Sequence, residues 1–329
     1  LNITIDILIG LLSVCLAASA NYVINEWLDR DFDKHHPTKK ERPAPQGQLN
    51  SLFVYIEYIL LIFSSLSLAI TLNVPFTLTI LALLISGITY NVRPIRTKDI
   101  IYLDVLSEAI NNPLRLLLGW FVVAPHLLPP SSLIIIFWFG GAFLMSMKRF
   151  AEYRTITSFG DESTAGDYRT SFNHYTSEKL LLFSFLMALL NSFFFAAFII
   201  KYKAEYLLLF PLIGTLFTYY MHLSLQDNSI VQTPEKLFKD KGLIVVLSTC
   251  ILGFLILSII DIPLLANLVH TETLPLNQLF STSFNEPWLM LLPPKLKKNI
   301  YSCVICGEKN INQLYKVSDT NEGVEPSIV

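Results

Sequence analysis

Long blocks of apolar residues, separated by short polar segments, dominate the pattern of this 329-residue chain. Neither a two-residue alternation nor a 3.6-residue stripe runs through the blocks. A helix needs roughly 20 apolar residues to cross a bilayer. Blocks of about that length lie at 3–25, 52–72, 76–92, 101–124, 132–151, 180–200, 205–222 and 243–268. The pattern therefore predicts an all-α, polytopic transmembrane bundle of about eight spans.

Composition agrees with this interpretation. The chain is 53% hydrophobic and only 15% charged, with a mean hydropathy of +0.51. The block at 101–124 is the weakest, because Asp104, Glu108 and Arg115 interrupt it. Spans of this kind usually face the interior of a bundle. The net charge of −2 says little about partners, and we expect no nucleic-acid partner.

The charge of the loops predicts the orientation. Cytoplasmic loops carry an excess of Lys and Arg. Four segments hold nearly all of the loop Lys and Arg, whereas the segments 73–75 and 124–130 hold none. We therefore expect a protein of the plasma (inner) membrane whose candidate chemistry lies on the cytoplasmic face. The four basic segments are 26–50, 91–99, 148–179 and 223–242.

An acidic stripe ends the first block. Asn25, Asp29 and Asp33 are spaced at i, i+4 and i+8, so on a helix they lie on one face with about 6 Å of rise per step. Such carboxylates can hold Mg²⁺ against a diphosphate, although a solvated helix end is the simpler alternative. A cationic run follows and would suit a polyphosphate. It contains Lys34, His35, His36, Lys39, Lys40 and Arg42.

Two further groups of charged residues lie in basic loops. Lys148 and Glu152 are four residues apart, and Arg149 beside them has a guanidinium fork suited to phosphate. The loop from Tyr90 to Asp99 is also basic. Either group alone is consistent with ordinary positive-inside charge. Together with acids at helix ends they indicate function, because ionisable groups in a membrane are costly to bury.

These residues carry a resemblance. The motif Asn25-x-x-x-Asp29-x-x-x-Asp33 resembles the first aspartate-rich motif of the UbiA superfamily of intramembrane prenyltransferases. The run Lys148-Arg149-Phe-Ala-Glu152 is similar to the branch that includes decaprenyl-phosphate phosphoribosyltransferase, as are the residues from 33 to 43 and the spacing of Asp104 and Arg115. The resemblance covers roughly residues 3–268. Two departures are Glu26, where the family usually has Asp, and the loop 90–94.

The resemblance implies a Mg²⁺-dependent transferase that acts on a polyprenyl lipid and a phosphorylated donor, in cell envelope biosynthesis. Phosphoribosyl transfer from phosphoribosyl diphosphate to a polyprenyl phosphate is the favoured reaction. Asp29 and Asp33 would hold Mg²⁺ and Asn25 would orient the metal or its waters, which makes these three the catalytic residues. The substrate-binding residues would be Lys39, Arg42, Tyr90, Asp104, Arg115, Lys148, Arg149 and Glu152.

Two alternatives remain open. In the first, the same metal site ionises a prenyl diphosphate, and an aromatic or other acceptor captures the prenyl group. In the second, the protein is a transporter whose path is lined by Asp104, Glu108 and Arg115. The chain shows no internal repeat of the kind that transporters often carry.

The tail at 269–329 differs from the membrane domain at 1–268, because it is polar with scattered apolar residues. Cys303 and Cys306, followed by Gly307, resemble one knuckle of a zinc ribbon. Two cysteines supply only two ligands, and a disulfide is the alternative. We expect this tail to be the start of a second domain. Since Leu1 is not Met and a span follows at once, we also expect N-terminal sequence to be missing.

Overall fold

The computed structural model describes residues 3–34, 39–159, 165–166, 168–227 and 229–262, together with residue 265. Within these ranges the regular structure is helical. The α-helices are α1 (Ile3–Asp33), α2 (Ser51–Leu72), α3 (Val74–Asn91), α4 (Leu103–Ala109), α5 (Asn111–Val123), α6 (Ser131–Phe159), α7 (Ser177–Tyr202), α8 (Phe210–Leu225) and α9 (Lys241–Ile259). Short 3-10 helices occupy several of the connections between them.

Polar side chains cap the helices where the apolar blocks begin. The Asn50 side chain accepts a hydrogen bond from the Leu52 amide at 2.9 Å and thereby caps α2. Asn73 caps α3 in the same way, since its Oδ1 accepts from the Phe76 amide at 2.8 Å. Such caps satisfy amides that have no partner inside the helix. They explain why short polar segments are enough to separate long helices.

Seven helical segments of the described chain are long and apolar enough to cross a membrane. Their outer faces are apolar and exposed: Phe63 on α2 is 70% exposed, and Leu257 is the one buried residue of α9. Surfaces of this kind suit lipid rather than water. The predicted helical membrane bundle is confirmed, and the protein is an integral membrane protein.

The block at 101–124 forms two short helices, α4 and α5, rather than one continuous span. Pro113 lies near the start of α5 and has no amide hydrogen to donate to the Ala109 carbonyl. The Asn112 side chain donates to that carbonyl instead, at 3.1 Å. A proline and a substitute donor therefore account for the break, and the polar residues of this block lie on a broken helix.

The bundle has two hydrophobic cores. One lies among α1, α2, α3 and α5 and includes the fully buried Phe76, Ile80 and Ala17. The other lies among α4, α6, α7 and α8 and includes the fully buried Met147 and Leu180. Between α1 and α2, Ser13 and Ser65 each donate their hydroxyl to the other's carbonyl, at 2.9 and 2.8 Å. Small residues permit this close approach of helices in a membrane.

The basic loops meet at one end of the bundle. Arg154 near the end of α6 donates to the carbonyl of Leu225 at 2.6 Å. Gln232, in the loop after α8, donates to Thr155 at 2.7 Å. The contacts of α1 with the loop after α3, described below, lie at this end as well. The grouping of the charged loops expected from the sequence is therefore present in the fold.

By internal contacts the chain divides into residues 1–260 and residues 261–329. The helices described above belong to the first unit. Cys303 and Cys306 belong to the second unit and lie outside the described residues. The zinc knuckle and the second domain stay predictions.

Candidate functional site

Asp29, in the last turns of α1, binds two cations from the loop that follows α3. Lys98 donates its ammonium to Asp29 Oδ1, and Arg96 Nη2 lies 3.2 Å from the same oxygen. Lys98 also donates to Asn91 Oδ1 at 2.9 Å and is only 5% exposed. Burial lowers the pKa of Lys98 to about 8, while the charge of Asp29 opposes that shift. Asp29 is thus paired with two buried cations.

The other two residues of the stripe are placed differently. Asp33 is 5% exposed, and its Oδ2 lies 3.8 Å from Arg42 Nη1. Asn25 Oδ1 is buried and has no hydrogen-bond partner among the described residues. A buried acceptor without a partner is costly and unusual in a native structure. Asn25 therefore offers an unused oxygen on the helix that carries Asp29 and Asp33.

The segment at 92–102, which we call the cation loop, brings Arg96 and Lys98 to Asp29. Lys98 lies in a 3-10 helix, Thr97–Asp99, and Arg96 is the residue that precedes this helix. Arg96 also forms an ion pair with Asp99 at 3.1 Å, and its guanidinium lies 4.9 Å from the centre of the Phe32 ring. The contacts of Arg96 with Asp29, Asp99 and Phe32 explain how an arginine can be 7% exposed in a membrane protein.

A second charged group surrounds Arg149 on α6, which is 4% exposed. Its Nη1 donates to Glu152 at 2.6 Å, and its Nη2 donates to Glu108 and, at 3.2 Å, to the Tyr90 hydroxyl. Tyr90 donates to Glu108 at 2.7 Å. Lys148 is half-buried and acts electrostatically on Glu108. Three predicted binding residues, Tyr90, Arg149 and Glu152, therefore lie together.

Arg169 joins the two groups. It donates from Nη2 to the Tyr90 hydroxyl at 2.6 Å and forms an ion pair with Asp104 through Nε at 3.5 Å. Arg169 also lines a small cleft beside Asp29 and Asp33, with a volume of about 40 Å³. The cleft combines three acids with three cations, as a site for a metal-neutralised polyanion requires. Its lining residues are Asp29, Phe32, Asp33, Arg96, Lys98, Asp99, Tyr168, Arg169 and Thr170.

Asp104 is completely buried at the start of α4. Its Oδ1 accepts from the Tyr175 hydroxyl at 2.6 Å and its Oδ2 from the Ser171 hydroxyl at 3.1 Å. Both carboxylate oxygens are thus occupied by protein donors. Asp104 does not line the cleft.

The remaining predicted site residues do not line the cleft or contact Arg149 in the described part of the structure. Arg115 on α5 is exposed and makes no ion pair or hydrogen bond with the described residues. The side chain of Lys39 lies outside the described part of the structure. A larger cavity of about 440 Å³ lies elsewhere, at the opposite end of α1 beside Asp6 and His126, and holds none of the predicted site residues.

Three site residues were not predicted individually: Arg96, Lys98 and Arg169. Arg96 and Lys98 belong to a loop whose basic charge is evident from the sequence. That charge does not show which of the basic residues in the loop contact Asp29. Arg169 lies in a polar segment without a helical repeat. Its contacts with Tyr90, 79 positions away, and with Asp104 distinguish Arg169 from other loop arginines.

The donors on α1 fit a hard divalent cation such as Mg²⁺. Asn25, Asp29 and Asp33 offer oxygen ligands on one face of α1, and Asn25 Oδ1 has no partner among the described residues. Among those residues no cluster of three or more His, Cys, Asp or Glu side chains is positioned to hold a metal. Mg²⁺ commonly uses one or two carboxylates and completes its shell with water and substrate phosphates. The residues present match that pattern.

Comparison with known sequences gives a consistent result. Residues 2–239 match the UbiA prenyltransferase family. Decaprenyl-phosphate phosphoribosyltransferase of Mycobacterium tuberculosis is 29% identical over 165 residues, which cover 50% of this chain and 51% of that protein. The 4-hydroxybenzoate octaprenyltransferase of Vibrio vulnificus is 38% identical over 72 residues, covering 22% of this chain and 25% of that protein. The alignment with the phosphoribosyltransferase thus spans about half of its length.

Solved structures share the fold. A UbiA homolog from Archaeoglobus fulgidus, bound to DMAPP and Mg²⁺, matches with a TM-score of 0.59 and 21% identity. That match covers 78% of this chain and 88% of the homolog. The same homolog bound to GPP and Mg²⁺ matches with a TM-score of 0.58 and 21% identity, covering 77% of this chain and 88% of that chain. At this identity the likeness establishes the architecture alone.

Proposed function

Because the chain belongs to the UbiA prenyltransferase family, we propose that it transfers a phosphoribosyl group from phosphoribosyl diphosphate to a polyprenyl phosphate. One observation carries the proposal. Arg169 lies in the wall of the acidic cleft and also contacts the Tyr90 and Arg149 group. Cations that would bind two anionic substrates therefore lie together at one end of the bundle.

The donor would bind at the cleft. Asn25, Asp29 and Asp33 would hold Mg²⁺, which when bound neutralises the diphosphate of the donor. Lys98 and Arg96 hold the Asp29 carboxylate in place. They also provide fixed positive charge where the diphosphate leaves, and preorganised charge of this kind stabilises a transition state. Arg42, which is half exposed beside Asp33, would contact the outer phosphates.

The lipid phosphate would bind towards Arg149, Lys148 and Arg169. Its oxygen would form a bond to the anomeric carbon while the bond from that carbon to the diphosphate oxygen breaks, so that diphosphate departs. Little acid–base catalysis is needed, because a phosphate oxygen is already ionised. The carboxylates of Glu108 and Glu152 hold the Arg149 fork in a fixed orientation. We infer that both substrates approach from the cytoplasmic face, since the basic loops meet at this end.

Prenyl transfer is the second candidate, favoured by the partial match to the octaprenyltransferase. In that reaction one diphosphate would bind, and the acceptor would be neutral or aromatic. The Arg149 group would then have no second phosphate to bind.

A single labelling experiment separates the candidates. Membranes that contain the protein are incubated with Mg²⁺, polyprenyl phosphate and phosphoribosyl diphosphate labelled in the ribose. Label that enters the lipid fraction supports the proposal. A parallel reaction contains a prenyl diphosphate and 4-hydroxybenzoate, and prenylated product in that reaction alone would overturn it. The Asp29→Asn variant provides the inactive control.

A further inference from the structure

The cation loop contains two residues with strained backbones. Arg96 has a φ of 22° and Tyr102 a φ of 64°, in a region that non-glycine residues rarely occupy. Conformations of this kind are unfavourable and persist only where surrounding contacts hold them. Lys98 lies between the two positions. The contacts that fix the backbone of Tyr102 therefore also help to fix the position of Lys98.

A chain of hydrogen bonds holds Tyr102. Its amide donates to the Tyr175 hydroxyl at 2.7 Å, and that hydroxyl donates to Asp104 Oδ1 at 2.6 Å. Asp104 contacts the loop a second time, because its own amide donates to the Ile100 carbonyl at 3.0 Å. The Tyr175 ring packs edge-on against the Tyr102 ring, with 5.7 Å between the ring centres. Two members of this chain are buried: Asp104 is 0% and Tyr175 is 3% exposed.

The chemistry of the chain suits a permanent structural contact. Burial raises the pKa of the Tyr175 hydroxyl, and the Asp104 carboxylate raises it further. Tyr175 therefore stays protonated and donates to Asp104 over the physiological range. Asp104 is closed to solvent and lines no part of the cleft, so it would not contact a donor that binds there.

We propose that Asp104 and Tyr175 are positioning residues: together they hold the cation loop in the conformation that places Arg96 and Lys98 on Asp29. For Asp104 this role replaces the substrate-binding role expected from the sequence. The catalytic consequence rests on the proposed function, since it takes Asp29 to act in donor binding. The structural part does not depend on which reaction the protein catalyses.

Chemical labelling of Lys98 tests the structural part. The full-length protein, in detergent or nanodiscs, is treated briefly with an amine-acylating reagent, and modification is quantified by mass spectrometry relative to the exposed Lys179. Tyr175→Phe removes one hydroxyl and keeps the ring. We expect Lys98 to be modified roughly fivefold faster in this variant. The loss of one hydrogen bond raises by about that factor the fraction of molecules in which the cation loop is detached and Lys98 is accessible. Tyr220→Phe is the matched control, because Tyr220 is also buried in the same core.

Equal labelling of Lys98 in wild type and Tyr175→Phe would overturn the proposal, as would an equal rise in Tyr220→Phe. Asp104→Asn is a second variant that keeps an oxygen acceptor for Tyr175. We expect it to raise the labelling of Lys98 by a smaller factor. If Tyr175→Phe does not accumulate, unchanged Lys98 labelling in Asp104→Asn would count against the positioning role.

An activity measurement tests the catalytic part. We expect Tyr175→Phe to raise the Mg²⁺ concentration for half-maximal transfer roughly tenfold, with little change in the KM for the lipid. A merely destabilised protein would lose active enzyme without shifting its Mg²⁺ dependence. If wild type transfers no ribosyl group but Lys98 labelling rises in Tyr175→Phe, the proposed function fails and the positioning role stands.

Discussion

The guanidinium of Arg169 donates a hydrogen bond to the hydroxyl of Tyr90 at 2.6 Å, across 79 positions of the chain. Tyr90 lies in the last turn of α3 in one half of the bundle, whereas Arg169 belongs to the loop between α6 and α7 in the other half. The contact therefore joins the cleft beside Asp29 to the Arg149 group. Residues from helices that pack into two separate hydrophobic cores therefore belong to one site.

The acidic stripe is expected to be essential for turnover. Asp29→Asn and Asp33→Asn each remove a hard oxygen ligand and keep the shape of the side chain. We expect either change to lower the rate at least ~100-fold, while the protein still accumulates in the membrane. Steady-state transfer at several Mg²⁺ concentrations measures this loss. Asp31→Asn is the control, because Asp31 lies on the same helix but is exposed and pairs with Lys34. A near-normal rate for Asp29→Asn at ordinary Mg²⁺ would show that the metal assignment is wrong.

Lys148 and Arg169 are expected to bind phosphorylated substrates. Lys148→Met removes a half-buried charge, and Arg169→Lys keeps the charge but loses the planar fork. We expect each to raise the KM for at least one phosphorylated substrate, with a loss on the order of 2–4 kcal/mol in transition-state stabilisation. Kinetics with each substrate varied in turn provide the measurement. Lys179→Met, at an exposed site, should leave the kinetics unchanged.

Arg149→Leu requires a separate test of folding. Arg149 pairs with both Glu108 and Glu152, and its loss would remove the guanidinium that neutralises these two carboxylates. Breaking a buried ion pair in this way costs about 3–5 kcal/mol. We therefore expect Arg149→Leu to unfold at a lower temperature than Lys148→Met in the same detergent. Equal unfolding temperatures would mean that the Arg149 group contributes little to stability.

The orientation can be tested with single cysteines. In a variant without native cysteines, we expect Gln46→Cys and Lys236→Cys to resist an impermeant thiol reagent added to intact cells. Both positions are exposed at the end where the basic loops meet. Leu128→Cys should react, because Leu128 is 83% exposed in the uncharged loop after α5. Reaction at Gln46 together with protection at Leu128 would reverse the predicted orientation.

The packing of α1 against α3 depends on Gly87. A methyl group at this position would overlap the side chain of Asn21, which donates to the Leu83 carbonyl at 3.1 Å. We expect Gly87→Ala to destabilise the protein by about 1–3 kcal/mol, the usual cost of overpacking. Gly119→Ala is the matched control, since nothing lies within 4 Å of the added carbon. Thermal unfolding in detergent should show a lower midpoint for Gly87→Ala than for Gly119→Ala.

Much of the architecture was determined locally and could be predicted. Apolar blocks of bilayer length gave the membrane helices, because the bilayer requires backbone polar groups to be satisfied within each segment. The spacing of Asn25, Asp29 and Asp33 placed them on one helical face, as α1 now shows. The break at Ile110, just before Pro113, was missed, because a block of apolar residues with several polar ones does not reveal where the helix ends. Loop charge correctly grouped the basic segments at one end.

The tertiary structure decided which charged residues meet and which are buried. Asp104 and Arg115 were given the same predicted role, yet Asp104 is fully buried between two hydroxyl donors and Arg115 is exposed. Arg96, Lys98 and Arg169 became site residues only through contacts that span 67 to 79 positions. The sequence by itself determined the helices, since these depend on neighbouring residues and on the lipid. Which charged residues pair depended on how the helices and loops pack. The two members of such a pair lie far apart in the sequence, and their positions there do not show whether they meet in space.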